Sequence, residues 1–172
     1  MEPIKSTVEI LAFKVLNRNV DMEWIKWAND MLEVGYDTKY LTILAGETEP
    51  FNQFQLKDLT NKVFDELHLN YHNINLVLNN YCCYLIDKAL NNQMELLHVL
   101  EIFNDLYYEL DYVSNLSHFF NLFEAKFDIL NTGEQWYIIG ADINNIDKII
   151  IDYFHEWKNN CEQQIWDLKS LG

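Results

Sequence analysis

Apolar side chains recur along most of this chain at intervals of three and four residues, which is the spacing of an amphipathic helix. The pattern predicts seven or eight helices joined by short connections. Glycine and proline, five and two in 172 residues, are too scarce for the many turns of a β sandwich or barrel. We therefore predict a compact all-α bundle that forms one domain over residues 1–172.

Several predicted helices carry recognisable start and stop signals. Ser6 and Glu9 have the spacing of a capping box, Asp21 and Asn73 stand at N-cap positions, and Gly35 would end the second helix. The last helix is predicted to begin near residue 145 and to carry one apolar face: Ile146, Ile150, Tyr153, Phe154, Trp157, Cys161 and Leu168. Four aromatic side chains on such faces are expected to be largely buried: Trp24, Phe103, Tyr153 and Trp157.

Residues 131–145 are the least regular part of the pattern. The run Trp136-Tyr137-Ile138-Ile139 is compatible with a short strand and equally with a loop tucked into the core. The sequence leaves both alternatives open.

The chain is strongly acidic, with a formal net charge of −15. Twelve of its 27 acidic residues lie between Ala89 and Trp157, where Lys126 and Lys148 are the only lysine or arginine residues. A nucleic-acid-binding protein needs basic residues against the phosphates, so we expect no nucleic-acid partner, and anionic membranes are disfavoured for the same reason. No apolar run is long enough to span a bilayer and the N-terminus lacks a signal-peptide core, so a cytoplasmic location is predicted.

Three cysteines, Cys82, Cys83 and Cys161, lack the spacing of zinc ligands. In a reducing compartment they are expected to be small buried hydrophobic residues. A redox or metal-binding role is the alternative.

Two carboxylate–histidine pairs suggest a metal site. Glu95 with His98 and Asp152 with His155 stand three residues apart, as in the di-iron sites of ferritin-like bundles. Both histidines fall off the apolar stripes of their helices, so we expect them to face solvent and to share no site. No phosphate-binding loop, GxSxG or HExxH motif occurs, and neither a metal nor a cofactor is predicted.

Glu101, Asp105 and Glu109 repeat every four residues on the polar face of the sixth predicted helix, with no lysine between them. Such a face can simply keep a protein soluble. It can also attract a basic partner, because a local excess of one charge accelerates association with the opposite charge.

A resemblance to known proteins lies between Met22 and Leu69. It is carried by helix-packing residues, in chain order Trp24-Ile-Lys-Trp27-Ala28, Met31-Leu32, Gly35-Tyr-Asp37, Leu41, Leu44-Ala45-Gly46-Glu47 and Lys62-Val-Phe64-Asp-Glu-Leu67. The segment resembles small uncharacterised bacterial proteins, some of which are candidate immunity proteins encoded beside toxins. No catalytic or binding residue is carried over.

The resemblance favours attraction of a partner over solubility alone as the role of the acidic face. It implies a non-enzymatic acidic binding protein, an immunity or antitoxin-type inhibitor of a basic protein such as a toxin. From the charge pattern, and not from the resemblance, we expect Glu101, Asp105 and Glu109 at the contact. A helical metal-dependent enzyme and a scaffold subunit of a larger complex are the alternatives.

Overall fold

The computed structural model describes residues 2–161, which contain eight α helices, a single 3₁₀ turn and no β strand. The all-α prediction is confirmed. The helices are α1 (Thr7–Val15), α2 (Met22–Glu33), α3 (Lys39–Ala45), α4 (Gln53–Glu66), α5 (Ile74–Leu90), α6 (Leu96–Glu109), α7 (Ser117–Thr132) and α8 (Ile146–Cys161). Leu168, predicted on the last helix, lies outside the described residues.

The chain divides into two compact units within α5, directly after Tyr81. Unit 1 comprises α1 to α4 and the first half of α5. Unit 2 comprises the second half of α5 together with α6 to α8. The single domain expected over residues 1–172 stays a prediction.

The core of unit 1 is built around Phe64 of α4. Its ring stacks on Trp24 at 6.0 Å and meets Trp27 edge-on at 6.2 Å. All three side chains are buried, which confirms the prediction for Trp24. The indole N–H of Trp27 donates to the buried hydroxyl of Thr7 at 2.9 Å and so joins α2 to α1.

The core of unit 2 is a second group of buried aromatic rings. Phe103 of α6 lies 4.3 Å from Phe119 of α7, and Phe154 of α8 lies 6.3 Å from Phe103. The burial predicted for Phe103 is confirmed, but Tyr153 and Trp157 are only half-buried. Phe154 takes the central place because the buried line of α8 runs through Ile146, Ile150, Phe154 and Cys161, at steps of four, four and seven residues.

All three cysteines are buried, as expected, but two of them are not simple buried thiols. Cys83 of α5 and Cys161 of α8 form a disulfide, with their Cα atoms 6.0 Å apart. One turn along each helix, Lys158 forms an ion pair with Asp87. Cys82 is free and buried, and burial raises the pKa of its thiol to about 12, so it is not a nucleophile at neutral pH.

Three of the predicted helix-end signals are confirmed and one is wrong. The Asp21 side chain accepts a hydrogen bond from the backbone N–H of Glu23, and that of Asn73 accepts one from Leu76. Gly35 follows α2 with a φ of 95°, a conformation that glycine adopts without strain. Ser6 makes no capping hydrogen bond because its own backbone is already helical, with φ −65° and ψ −12°.

Residues 133–145 are neither a strand nor a loop tucked into the core. They form an exposed loop between α7 and α8, on which Trp136 is 88% exposed. The irregular segment expected near residues 131–145 is confirmed from residue 133 onward, and residues 131 and 132 belong to α7. Neither a strand nor a buried loop forms, because the loop satisfies its backbone through side-chain hydrogen bonds and leaves most of its apolar side chains exposed.

Candidate partner-binding surface

Glu101, Asp105 and Glu109 are all exposed on α6. Residues four apart on an α helix are rotated by about 40°, so the three carboxylates occupy a narrow arc along one side of the helix. One oxygen of Glu101 lies 3.2 Å from Nδ1 of exposed His98. The helix therefore presents the predicted set of acids together.

Little basic charge offsets this face. From residue 89 to residue 125 the sequence contains six acidic residues and no lysine or arginine. The next lysine, Lys126, pairs with Asp147, and Lys148 pairs with Asp152 at 2.6 Å. Unit 2 consequently carries a concentration of negative charge, which attracts cations over roughly a Debye length of 8 Å at physiological salt.

An aromatic cluster, which the sequence analysis missed, adjoins the acidic face. It consists of Tyr107, Tyr108, Tyr112, Phe120 and Tyr137, whose neighbouring ring centroids lie 5.0 to 6.2 Å apart. Tyr108, Tyr112 and Tyr137 are exposed. Tyr108 lies three residues after Asp105 and so shares the side of α6 that carries the carboxylates.

A tight turn at the end of α6 positions Tyr112. Asp111 and Tyr112 both adopt the left-handed conformation, with φ of 60° and 63°. The backbone N–H of Tyr112 donates to the carbonyl of Tyr107 at 2.8 Å, which closes the helix. This conformation is unusual for a bulky residue and costs about 1–2 kcal/mol at Tyr112. It places the Tyr112 ring 5.5 Å from that of Tyr108.

Glu124 of α7 adds a partly desolvated carboxylate near these rings. Burial, and then the negative charge of Asp128, raise the pKa of Glu124. Partial burial also raises the pKa of the Tyr108 hydroxyl, with a further contribution from Glu124. The surface thus combines aromatic rings with carboxylates, the combination that attracts a guanidinium or ammonium group through both charge and the ring faces.

The two carboxylate–histidine pairs do not come together as a metal site. His98 and His155 are exposed, as predicted from their helical phase. Within residues 2–161 no group of three or more histidine, cysteine, aspartate or glutamate side chains is placed to hold a metal ion.

Unit 1 contains a shallow pocket of about 220 Å³ between α3 and α4. It is below the roughly 300–1,000 Å³ of common small-molecule sites. At the edge of the pocket, Nζ of Lys62 forms an ion pair with a carboxylate oxygen of Asp58 at 2.6 Å. Nothing in the lining pairs a nucleophile with a base; the lining residues are Tyr40, Ile43, Glu47, Asn52, Gln55, Leu56, Asp58, Leu59 and Lys62.

Among the helices of the described chain, none is long and apolar enough to cross a bilayer. Comparison of the sequence with protein-family models and curated proteins, and of the fold with solved structures, finds no match.

Proposed function

We propose that the protein is a non-enzymatic acidic binding protein, an immunity or antitoxin-type inhibitor that binds a basic protein partner such as a toxin. The observation that carries the proposal is the juxtaposition on unit 2 of three exposed carboxylates, Glu101, Asp105 and Glu109, with the aromatic cluster. Tyrosine is enriched among the residues that dominate binding energy at interfaces, and the carboxylates supply attraction for a basic surface.

A scaffold subunit of a larger assembly is the second candidate, and the exposed aromatic rings favour it. Permanent subunit interfaces are predominantly apolar and bury large areas. Here the exposed rings alternate with carboxylates, a composition that suits a partner of opposite charge better. Dependence of binding on salt separates the two candidates, because an apolar subunit interface is nearly indifferent to ionic strength.

We propose a cytoplasmic location, in which Cys83 and Cys161 would be kept as reduced thiols. A persistent Cys83–Cys161 disulfide would instead require an oxidising compartment. The number of reactive thiols in protein isolated from cells under acid quench shows whether Cys83 and Cys161 are reduced in the cell. Three reactive thiols support the cytoplasm, and one supports an oxidising compartment.

Replacement of Glu101, Asp105 and Glu109 together with lysine should slow association with the partner by about 10-fold to 100-fold at low salt, because electrostatic attraction acts mainly on the association rate. The partner is first isolated by affinity capture on the immobilised protein and then purified. Association is measured by surface plasmon resonance, and circular dichroism checks that helical content is unchanged.

The matched control converts three exposed acids of unit 1, Glu33, Asp37 and Glu49, to lysine. It changes net charge by the same amount at a different place. If both variants slow association equally, net charge and not this surface attracts the partner, and the assignment of the site is wrong.

A further inference from the structure

The loop of residues 133–145, here called the Trp136 loop, exposes apolar side chains to an unusual degree. Trp136 is 88% exposed and Ile139 is fully exposed, and Tyr137 and Ile143 are also exposed. Single exposed apolar residues are ordinary, but several in one loop indicate an interaction site.

The first half of the loop is fixed in shape by one half-buried side chain. The amide oxygen of Gln135 accepts hydrogen bonds from the backbone N–H groups of Tyr137 and Ile138, both at 2.8 Å. Its amide nitrogen donates to the carbonyls of Ile138 at 2.6 Å and Ala141 at 3.1 Å. Four hydrogen bonds from Gln135 therefore hold the backbone that carries Trp136 and Ile139.

The second half is fixed by a reciprocal pair. The Asp142 side chain accepts from the backbone N–H of Asn145 at 3.2 Å, and the Asn145 side chain accepts from the backbone N–H of Asp142 at 2.8 Å. Asp142 also accepts from the backbone N–H of Asn144 at 2.8 Å. Asn145 also donates to the carbonyl of Gly140, whose φ of 78° suits glycine. The loop is thus ordered before it binds anything, which lowers the entropic cost of binding.

The loop is continuous with the aromatic cluster. The Tyr137 ring lies 6.2 Å from that of Phe120, which stacks on Tyr107 at 5.0 Å. A chain of ring contacts therefore runs from the Trp136 loop to the acidic side of α6.

We infer that the Trp136 loop is the apolar anchor of the partner interface and that Trp136 inserts into an apolar pocket with a basic rim on the partner protein. This inference rests on the proposed function and adds the residue that holds the complex together. Tryptophan is the residue type most enriched among those that dominate binding energy.

The charge of the loop favours a basic protein over a second copy of the chain and over an anionic membrane as the binding partner. Glu134 and Asp142 are exposed within the loop itself. A second copy of the chain would bring the same acids against them, and an anionic membrane would oppose them with its headgroups. A basic rim around the pocket satisfies both the rings and the carboxylates.

Cross-linking locates the contact. Trp136 is replaced with a photoreactive phenylalanine analogue, the full-length protein is irradiated in its native cells, and cross-linked products are identified by mass spectrometry. The control places the same group at Phe54 of unit 1, which is also 88% exposed. We expect a basic protein cross-linked at position 136 and much less at position 54.

Association and dissociation rates measured with that purified protein then show how much Trp136 contributes to binding. Trp136→Ala should raise the dissociation rate about 30-fold or more, while the association rate changes less than about 3-fold. Phe54→Ala should change neither rate. The variant with three lysines on α6 should instead slow association and change the dissociation rate less. Failure of the proposed anchor and failure of the proposed function are therefore distinguishable.

Each other outcome overturns the inference. A cross-linked dimer of the chain itself assigns the loop to self-association, and sedimentation of the wild type but not Trp136→Ala with phosphatidylcholine vesicles assigns it to a membrane. An acidic cross-linked protein, no excess of product over position 54, or equal dissociation rates for Trp136→Ala and Phe54→Ala would each show that the loop is not the anchor for a basic partner.

Discussion

Cys83→Ala is expected to lower the free energy of unfolding by about 4 kcal/mol. The disulfide links residues 78 positions apart, and closing so long a loop removes much of the conformational freedom of the unfolded chain. Cys161→Ala should cost the same amount. Urea denaturation under non-reducing conditions, followed by far-UV circular dichroism, gives the free energies.

Two comparisons separate the stability lost with the disulfide from the stability lost with a buried side chain. Cys82→Ala removes an adjacent buried thiol that is not in the bond and should cost no more than about 1 kcal/mol. Dithiothreitol should destabilise the wild type and leave Cys83→Ala unchanged. Equal stability of Cys82→Ala and Cys83→Ala would mean that the bond does not form in solution.

Phe103→Ala should destabilise the fold by about 3–5 kcal/mol, the usual cost of deleting a fully buried aromatic ring. Phe103 is 0% exposed and contacts both Phe119 and Phe154, so its removal leaves a cavity where α6, α7 and α8 meet. The matched control is Phe127→Ala, which removes the same ring from an exposed position on α7 and should cost under about 1 kcal/mol. Similar losses in the two variants would contradict the placement of the unit 2 core around Phe103.

Helical periodicity predicts the helices because it reports a local property of the chain. The same rule predicts the exposure of the α6 acids and of His98 and His155, since rotation of about 100° per residue fixes which side of a helix a residue lies on. The rule does not resolve the wide aromatic face of α8. The rings of Tyr153, Phe154 and Trp157 all lie near Phe119. Phe154 is the one that also packs against Phe103 of α6, and it is the buried one.

The features that the sequence did not predict depend on contacts between residues far apart in the chain. Spacing alone does not reveal that Cys83 meets Cys161, because that contact requires the packing of α5 and α8 in unit 2. The aromatic cluster likewise draws its members from α6, the turn after it, α7 and the Trp136 loop. An available signal was the hydrogen-bonding set Gln135, Asp142 and Asn145, which is typical of an ordered loop and not of a strand.

We propose that the acidic and aromatic surface of unit 2 binds a basic protein. The most direct test of this claim is the association rate of the wild-type protein with its purified partner from low salt to 1 M, where the Debye length falls to about 3 Å. We expect the rate to fall steeply with ionic strength, and the dependence to be much weaker for the variant in which Glu101, Asp105 and Glu109 are lysine. An association rate that is independent of salt, or a partner that is acidic or neutral, would contradict the claim and leave the carboxylates of α6 as a solubilising surface.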